Sequence, residues 1–547
     1  MSTFTLKSTY ASLPRTTRGQ ALVINGDPKG ENFLYCNSSN VYIRNIENSS
    51  VSDVYHEHSK ETTVAKYSPS RFYIASADKE GKVRVWDTVN QEHILKKEHH
   101  ALSGAIKDLD WTMDSQKIIV VGEGRERFAR AFTFDSGNSV GDMTGHVKSI
   151  NAVAIKQSRP MRAATGSEDY TTVFYEGPPF KFKCTKPEHT NFVNCVRYSP
   201  DGSIFISGGS DGKLFMYDGS TSDFIAEIGE PKAHGGSIFA ICFSQDGKKL
   251  LSASGDKTAK IWNIEERVVE TEFVLGKQVN DMQLGCLWQG NNMITVSLSG
   301  YINYLDPENP NQPKKIIKGH NKPITSVVVT EDGSRMYSAG SDGLIISWDA
   351  KTSDCDDFKG KGHTNQVSDM VLDGDYLITV SMDDTIRFNS LQSLDYGINP
   401  SGTEVAVGSR TRLYIFSLNN GTLSEVKTLP AQEVMDVQYS PDGAYLVAAR
   451  NKALMYNLAE WKDEIGNWGE QHTAKITCLK WSPDSRRFVT ASLDSYLVLW
   501  ELGKFVGEKP TVKAHPLSHV NKIGWLDNNT IVTAGQDSNL KIWAVSE

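Results

Sequence analysis

Short apolar runs separated by Gly- and Asp-rich turns dominate the chain. The clearest instance is HTNFVNCVRYSPDGSIFISGGSDGKLFMYD, residues 189–218. Apolar and polar positions alternate over 193–198, and the turn Ser199-Pro200-Asp201-Gly202 follows. A second apolar run ends at Ser207, and Ser210-Asp211-Gly212 turns the chain into a third run that closes on Tyr217-Asp218. Period-two alternation between tight turns predicts three short antiparallel strands. One such sheet is barely stable in water and must bury its apolar face against another.

The chain supplies copies. His146 to His189 is 43 residues, His189 to His234 is 45, and His320 to His363 and His472 to His515 are 43 each. An Asp recurs six positions before an aromatic: Asp169 before Tyr175, Asp211 before Tyr217, Asp256 before Trp262, Asp342 before Trp348, Asp494 before Trp500 and Asp537 before Trp543. The first turn recurs as SPDG at 199 and 440, SQDG at 244, TEDG at 330 and SPDS at 482. A period of about 40–45 residues predicts a propeller. First strands can be counted at 21–25, 63–67, 107–111, 151–155, 194–198, 239–243 and 282–287, then at 325–329, 368–372, 393–398, 435–439, 477–481 and 522–525. That exceeds one ring, since propellers carry about four to eight blades. The expected fold is all-β, two β-propellers in tandem. The first, over 18–318, has seven blades; the second, over 319–547, shows six recognisable copies. The last copy stops after its third strand, and a strand from 3–14 is expected to close it, which removes a sheet edge. The spacing fails near 390: Val371 to Tyr396 is 25 residues but Tyr396 to Tyr439 is 43, so NSLQSLDYGINPSG reads as a junction where about one blade is absent.

Composition then narrows the function. The net charge of -8 is spread along the chain, which leaves no basic footprint for nucleic acid and no polybasic segment for a membrane. No apolar run approaches the roughly 20 residues that span a bilayer, and the N-terminus lacks the apolar core of a signal peptide. The seven cysteines are scattered, with no Cys-x-x-Cys pair, as in free thiols of a reducing cytoplasm. The expectation is a cytoplasmic monomer without cofactor, nucleic acid or membrane partner.

Candidate chemistry reduces to repetition at most positions. A Ser-His-Asp set can be drawn in almost every copy, so it carries no weight. Gly208-Gly209-Ser210-Asp211-Gly212 spells Gly-x-Ser-x-Gly but joins two strands, where a nucleophile elbow joins a strand to a helix. His515 and His519 have a helical metal-pair spacing, broken by Pro516, and no acid or Cys cluster accompanies them. No enzyme or metal site is expected. Departures from the repeat are more informative. The third copy replaces its second turn with GEGRERF, ending at Glu126-Arg127-Phe128, and Arg with an aromatic is favoured at binding hot spots. The fourth copy carries Gly177-Pro178-Pro179-Phe180-Lys181-Phe182-Lys183, where Phe180 and Phe182 are expected on one side of a strand. Phe192 follows His189. These clusters come from consecutive copies, so one face of the first ring is expected to gather them.

The repeats resemble the WD-repeat family, with WDT at Trp86, WNI at Trp262 and WDA at Trp348. That resemblance implies that each joint His bonds a strand-two Ser or Thr, and that the turn Asp and strand-three aromatic complete a structural network. His189, Ser207, Asp211 and Tyr217 form one such set. Asp256 with Trp262, Asp342 with Trp348, Asp494 with Trp500 and Asp537 with Trp543 belong to others. GEGRERF, EGPPFKFK, TAGQDSNLKIW, SLPRTTRG and ETTVAKYSP are similar to the actin-interacting protein 1 family of tandem propellers. This resemblance implies two seven-bladed propellers. It implies binding to actin filaments decorated with cofilin/ADF, promotion of their disassembly, barbed-end capping and a place in the actin cytoskeleton. Carried over by position, the implied actin/cofilin-binding residues are Glu126, Arg127, Phe128, Glu168, Phe180, Lys181, Phe182 and Phe192. The alternative reading is a general WD-repeat scaffold or ubiquitin-ligase adaptor that binds peptide motifs.

Overall fold

The computed structural model describes residues 3–546 apart from 49–50, 91, 353, 359, 361, 374–375, 391–403, 409–411, 420–421, 430–432, 451, 466–470 and 505–508. The expected strand at 393–398, and most of the junction near 390, lie outside the described residues. Two compact units emerge: Leu13–Asn321, and Met1–Ser12 together with Lys322–Glu547. Among the described residues the first unit holds seven antiparallel sheets and the second six, each of three or four strands except one. Helical structure is limited there to a single 3-10 turn, Val279–Asp281.

The sequence builds each sheet through its turns. In the first turn a hydroxyl donates to an Asp two positions on: Ser199 to Asp201 at 2.6 Å, Ser244 to Asp246 at 2.6 Å, Thr330 to Asp332 at 2.6 Å and Ser482 to Asp484 at 2.6 Å. The Asp then accepts from a backbone N–H of the returning strand, as from Ser203 at 3.0 Å. This side-chain capping fixes the hairpin register. Apolar residues of neighbouring sheets meet between blades. Ile206, Leu214 and Met216 of one sheet share a core with Ile241, Leu250 and Trp262 of the next.

In the first unit the sheet of 25–55 meets that of 283–317, where Leu22 N–H donates to Leu284 O at 2.9 Å and the Tyr304 hydroxyl to Ile46 O at 2.8 Å. In the second unit Thr3–Tyr10 pairs antiparallel with Leu540–Ser546 and completes a sheet with Thr530–Gly535 and Val520–Asp527. Tyr10 stacks on Trp348 of the adjoining sheet, centroids 5.3 Å apart.

One sheet of the first unit has five strands. Gly141–Asp142, which follows the third-copy strands, pairs in parallel with Phe180–Lys186 of the fourth. Val140 bonds both sides of that seam: its N–H donates to Ala131 O at 2.9 Å, and its carbonyl accepts from Phe180 N–H at 2.9 Å.

Candidate functional site

The joint histidines sort first, because they look most like chemistry. His189 Nε2 lies 2.8 Å from Ser207 Oγ and its Nδ1 3.0 Å from Asp211 Oδ2. Asp211 also accepts from the N–H groups of Thr190 and Lys213. The pattern recurs at His58, His146, His234, His363, His472 and His515. Trp262 Nε1–H donates to Ser252 Oγ at 2.8 Å, Trp500 to Thr490 at 2.9 Å, Trp543 to Thr533 at 3.1 Å and Trp348 to Ser338 at 2.6 Å. Asp342 caps the N–H of Leu344 at 3.2 Å. Burial pushes the Asp494 carboxyl up, but the hydrogen bond from His472 and the backbone N–H groups outweigh it and hold it down at about 2. Asp169, Asp256 and Asp537 are held well below the carboxylate range in the same way. These hydrogen bonds tie joint, turn and strand together within each sheet, which describes a scaffold. The tyrosine members reach further than the tryptophans: the Tyr217 hydroxyl interacts with Ser207 and also reaches Glu188 Oε2 at 3.2 Å, and the Tyr175 hydroxyl interacts with Thr165 and donates to Thr144 O at 2.9 Å.

Among the described residues no group of three or more His, Cys, Asp or Glu is arranged to hold a metal ion, and no helix is long and apolar enough to cross a membrane.

The departures from the repeat fall into three places. The first is the edge of the first unit that carries the second turns. Antiparallel pairing places each of these turns beside the residue that precedes strand one. Glu123 N–H thus donates to Ala105 O at 2.8 Å, Glu168 N–H to Ser149 O at 3.0 Å and Ser210 N–H to Phe192 O at 2.7 Å. Along this edge lie Glu126 and Arg127, both exposed and without an ion pair or side-chain hydrogen bond among the described residues. Glu168 is held by Lys107, whose Nζ sits 2.6 Å from Glu168 Oε1, 3.8 Å from Glu123 Oε1 and 3.1 Å from Asn151 Oδ1. One ammonium therefore ties the turns of two adjacent sheets together. Phe192, 39% exposed, packs against Tyr170 at 5.6 Å.

The second place is the fourth strand of the fourth copy, Phe180–Lys186. Lys181 pairs with Glu176 and Phe182 with Tyr175 across the ladder, and both side chains are exposed. The Phe182 ring covers Gly145, where an added Cβ would come within 2.7 Å of it. The third place is the core. Phe180 is fully buried and packs with Ile119, Ala131 and Met143, and half-buried Phe128 packs against the same cluster. The expectation that Phe180 and Phe182 offer one face is corrected: the seam with Val140 and Gly141 draws Phe180 between two sheets, so its ring is not on the surface.

Sequence reasoning missed Lys107, Lys148 and Tyr170. Tyr170 carried a usable signal, since it stands just after the turn Asp, where other copies have Gly212, Lys257, Gly343, Ser495 and Ser538.

Comparison with known proteins completes this picture. The WD domain, G-beta repeat family matches residues 49–87, 180–218, 226–263, 311–349, 357–388, 467–501 and 508–544. Over 596 aligned positions the chain is 42% identical to actin-interacting protein 1 of Drosophila melanogaster, with 98% of each covered. It is 44% identical over 604 positions to WD repeat-containing protein 1 of Gallus gallus, with 99% of each covered. It is 43% identical to the Mus musculus protein of that name, covering 99% of this chain and all of the other. Against the 547 residues here, 604 aligned positions leave at least 57 that this chain does not fill, more than one 43-residue repeat.

Proposed function

Because this chain belongs to the family of actin-interacting protein 1 and WD repeat-containing protein 1, we propose that it is a non-enzymatic actin-binding regulator. It binds filaments decorated with cofilin/ADF, promotes their disassembly and caps barbed ends, as a cytoplasmic monomer of the actin cytoskeleton. The observation that carries this reading is identity of 42% along nearly the whole chain to a protein named for its interaction with actin. The site geometry supports it: Glu126, Arg127, Phe192 and Phe182 are exposed on the first unit without a role in any blade network.

Such a protein works by differential binding. A surface that fits decorated filaments better once they are strained or severed shifts the population towards fragments, in proportion to that difference in affinity. With charges of both signs along the chain, long-range steering contributes little. The measurement is pelleting and disassembly of actin filaments with and without cofilin. Glu126→Ala and Phe182→Ala are each expected to slow cofilin-dependent disassembly about fivefold or more, the scale of an interface hot spot, with melting temperature within a degree or two of wild type. Pelleting that ignores cofilin would favour the general scaffold instead.

A further inference from the structure

Tyr170 occupies a backbone conformation that its side chain disfavours. Its φ is +73°, in the left-handed region, at the turn position where Gly212 has +76°, Lys257 +73°, Gly343 +84°, Ser495 +74° and Ser538 +64°, none of them aromatic. The turn demands this conformation, and a small residue adopts it at less cost than an aromatic. A bulky residue held in this region at the surface points to use of the side chain. The ring is 41% exposed and contributes little to any core. It instead joins two neighbours. Phe192, from the next sheet, lies 5.6 Å away at 43°, and the Lys148 ammonium stands 5.5 Å from the ring centroid. Among the described residues Lys148 has no carboxylate partner. Asp169, which precedes Tyr170, is occupied by His146, the Val147 N–H and Thr171. Val147, 79% exposed, extends the apolar border beside it.

We propose that Lys148, Tyr170 and Phe192 form one recognition platform that takes an acidic side chain flanked by an apolar one from the decorated filament. The two rings supply flat apolar area at small entropic cost. The unpaired ammonium, oriented over Tyr170, meets the carboxylate. The contrast with Lys107 sets the sign: that ammonium is neutralised by Glu168 and Glu123, whereas the Lys148 ammonium beside the two rings is open to a partner. The inference rests on the actin/cofilin reading above and adds the residues and the partner chemistry.

The test is co-sedimentation of the full chain with cofilin-decorated filaments at low and high salt, alongside thermal melting. Tyr170→Gly restores the residue the turn prefers, so its melting temperature should hold or rise while binding weakens about fivefold, the equivalent of ~1 kcal/mol. Tyr170→Phe should bind like wild type. Lys148→Gln should weaken binding at low salt and flatten the salt dependence. Undiminished pelleting of Tyr170→Gly overturns the inference, as does a loss of binding accompanied by a clear fall in melting temperature. Glu126→Ala and Phe182→Ala separate the two claims. If they weaken binding while Tyr170→Gly does not, the platform alone fails; if wild type itself does not pellet, both fail.

Discussion

Seven joint histidines of the described residues face a turn Asp at 2.9–3.3 Å, and this pairing gives the molecule an acid-sensitive term. Asp494 is held at about 2 in the folded chain, below the ordinary aspartate value of about 3.9. A depressed carboxyl contributes stability that is present above the unfolded value and lost as pH falls through the folded one. The advantage of wild type over Asp494→Asn should therefore shrink between about pH 4 and pH 2, by about 1 kcal/mol once solvent access is discounted. Acid titrations of the two proteins followed by circular dichroism would read it. A second contrast concerns two Phe residues two positions apart. Phe180→Ala, in the core, should cost about 3–5 kcal/mol of stability, whereas Phe182→Ala should cost little and act on binding, which denaturant titration separates. The histidine roles were legible because repetition explains position without chemistry. The split between Phe180 and Phe182 was not, since strand alternation is a local rule and a parallel seam from another sheet overrode it.

At the scale of the element, a blade is a hydroxyl with two dependants. Ser252 Oγ serves both His234 Nε2 and Trp262 Nε1. Ser252→Ala leaves two buried polar groups without partners, and an orphaned donor costs about 1–3 kcal/mol. Urea unfolding should show a loss in that range, larger than for Ser203→Ala in the exposed first turn. Turn chemistry and the six-residue spacing from Asp to aromatic made such blades readable. The Tyr copies were readable only in outline, because a phenol hydroxyl lies further along the ring than an indole N–H and adds Glu188 or Thr144 as a partner. Tyr170 was missed for another reason. Unusual loops stand out in a sequence, whereas here the turn is ordinary and only its occupant is unusual.

Each unit of the whole molecule has its own hydrophobic clusters, and two cores give two unfolding events where their stabilities differ. Removing residues 1–10 strips Leu540–Ser546 of its partner strand and Trp348 of its stacked Tyr10. Calorimetry should then show one transition lowered by several degrees, that of the second unit, with the other unmoved. The number of repeats was legible in the spacing; the course of the chain near 390 lies outside the described residues. The pairing of Thr3 with Ser546, 543 positions apart, also has a consequence for biosynthesis. During translation domains fold in order of emergence, and this strand is made long before its mate. Residues 13–321 can then fold while residues 3–10 still wait as an unmatched β-edge, the kind of exposed edge that invites mispairing.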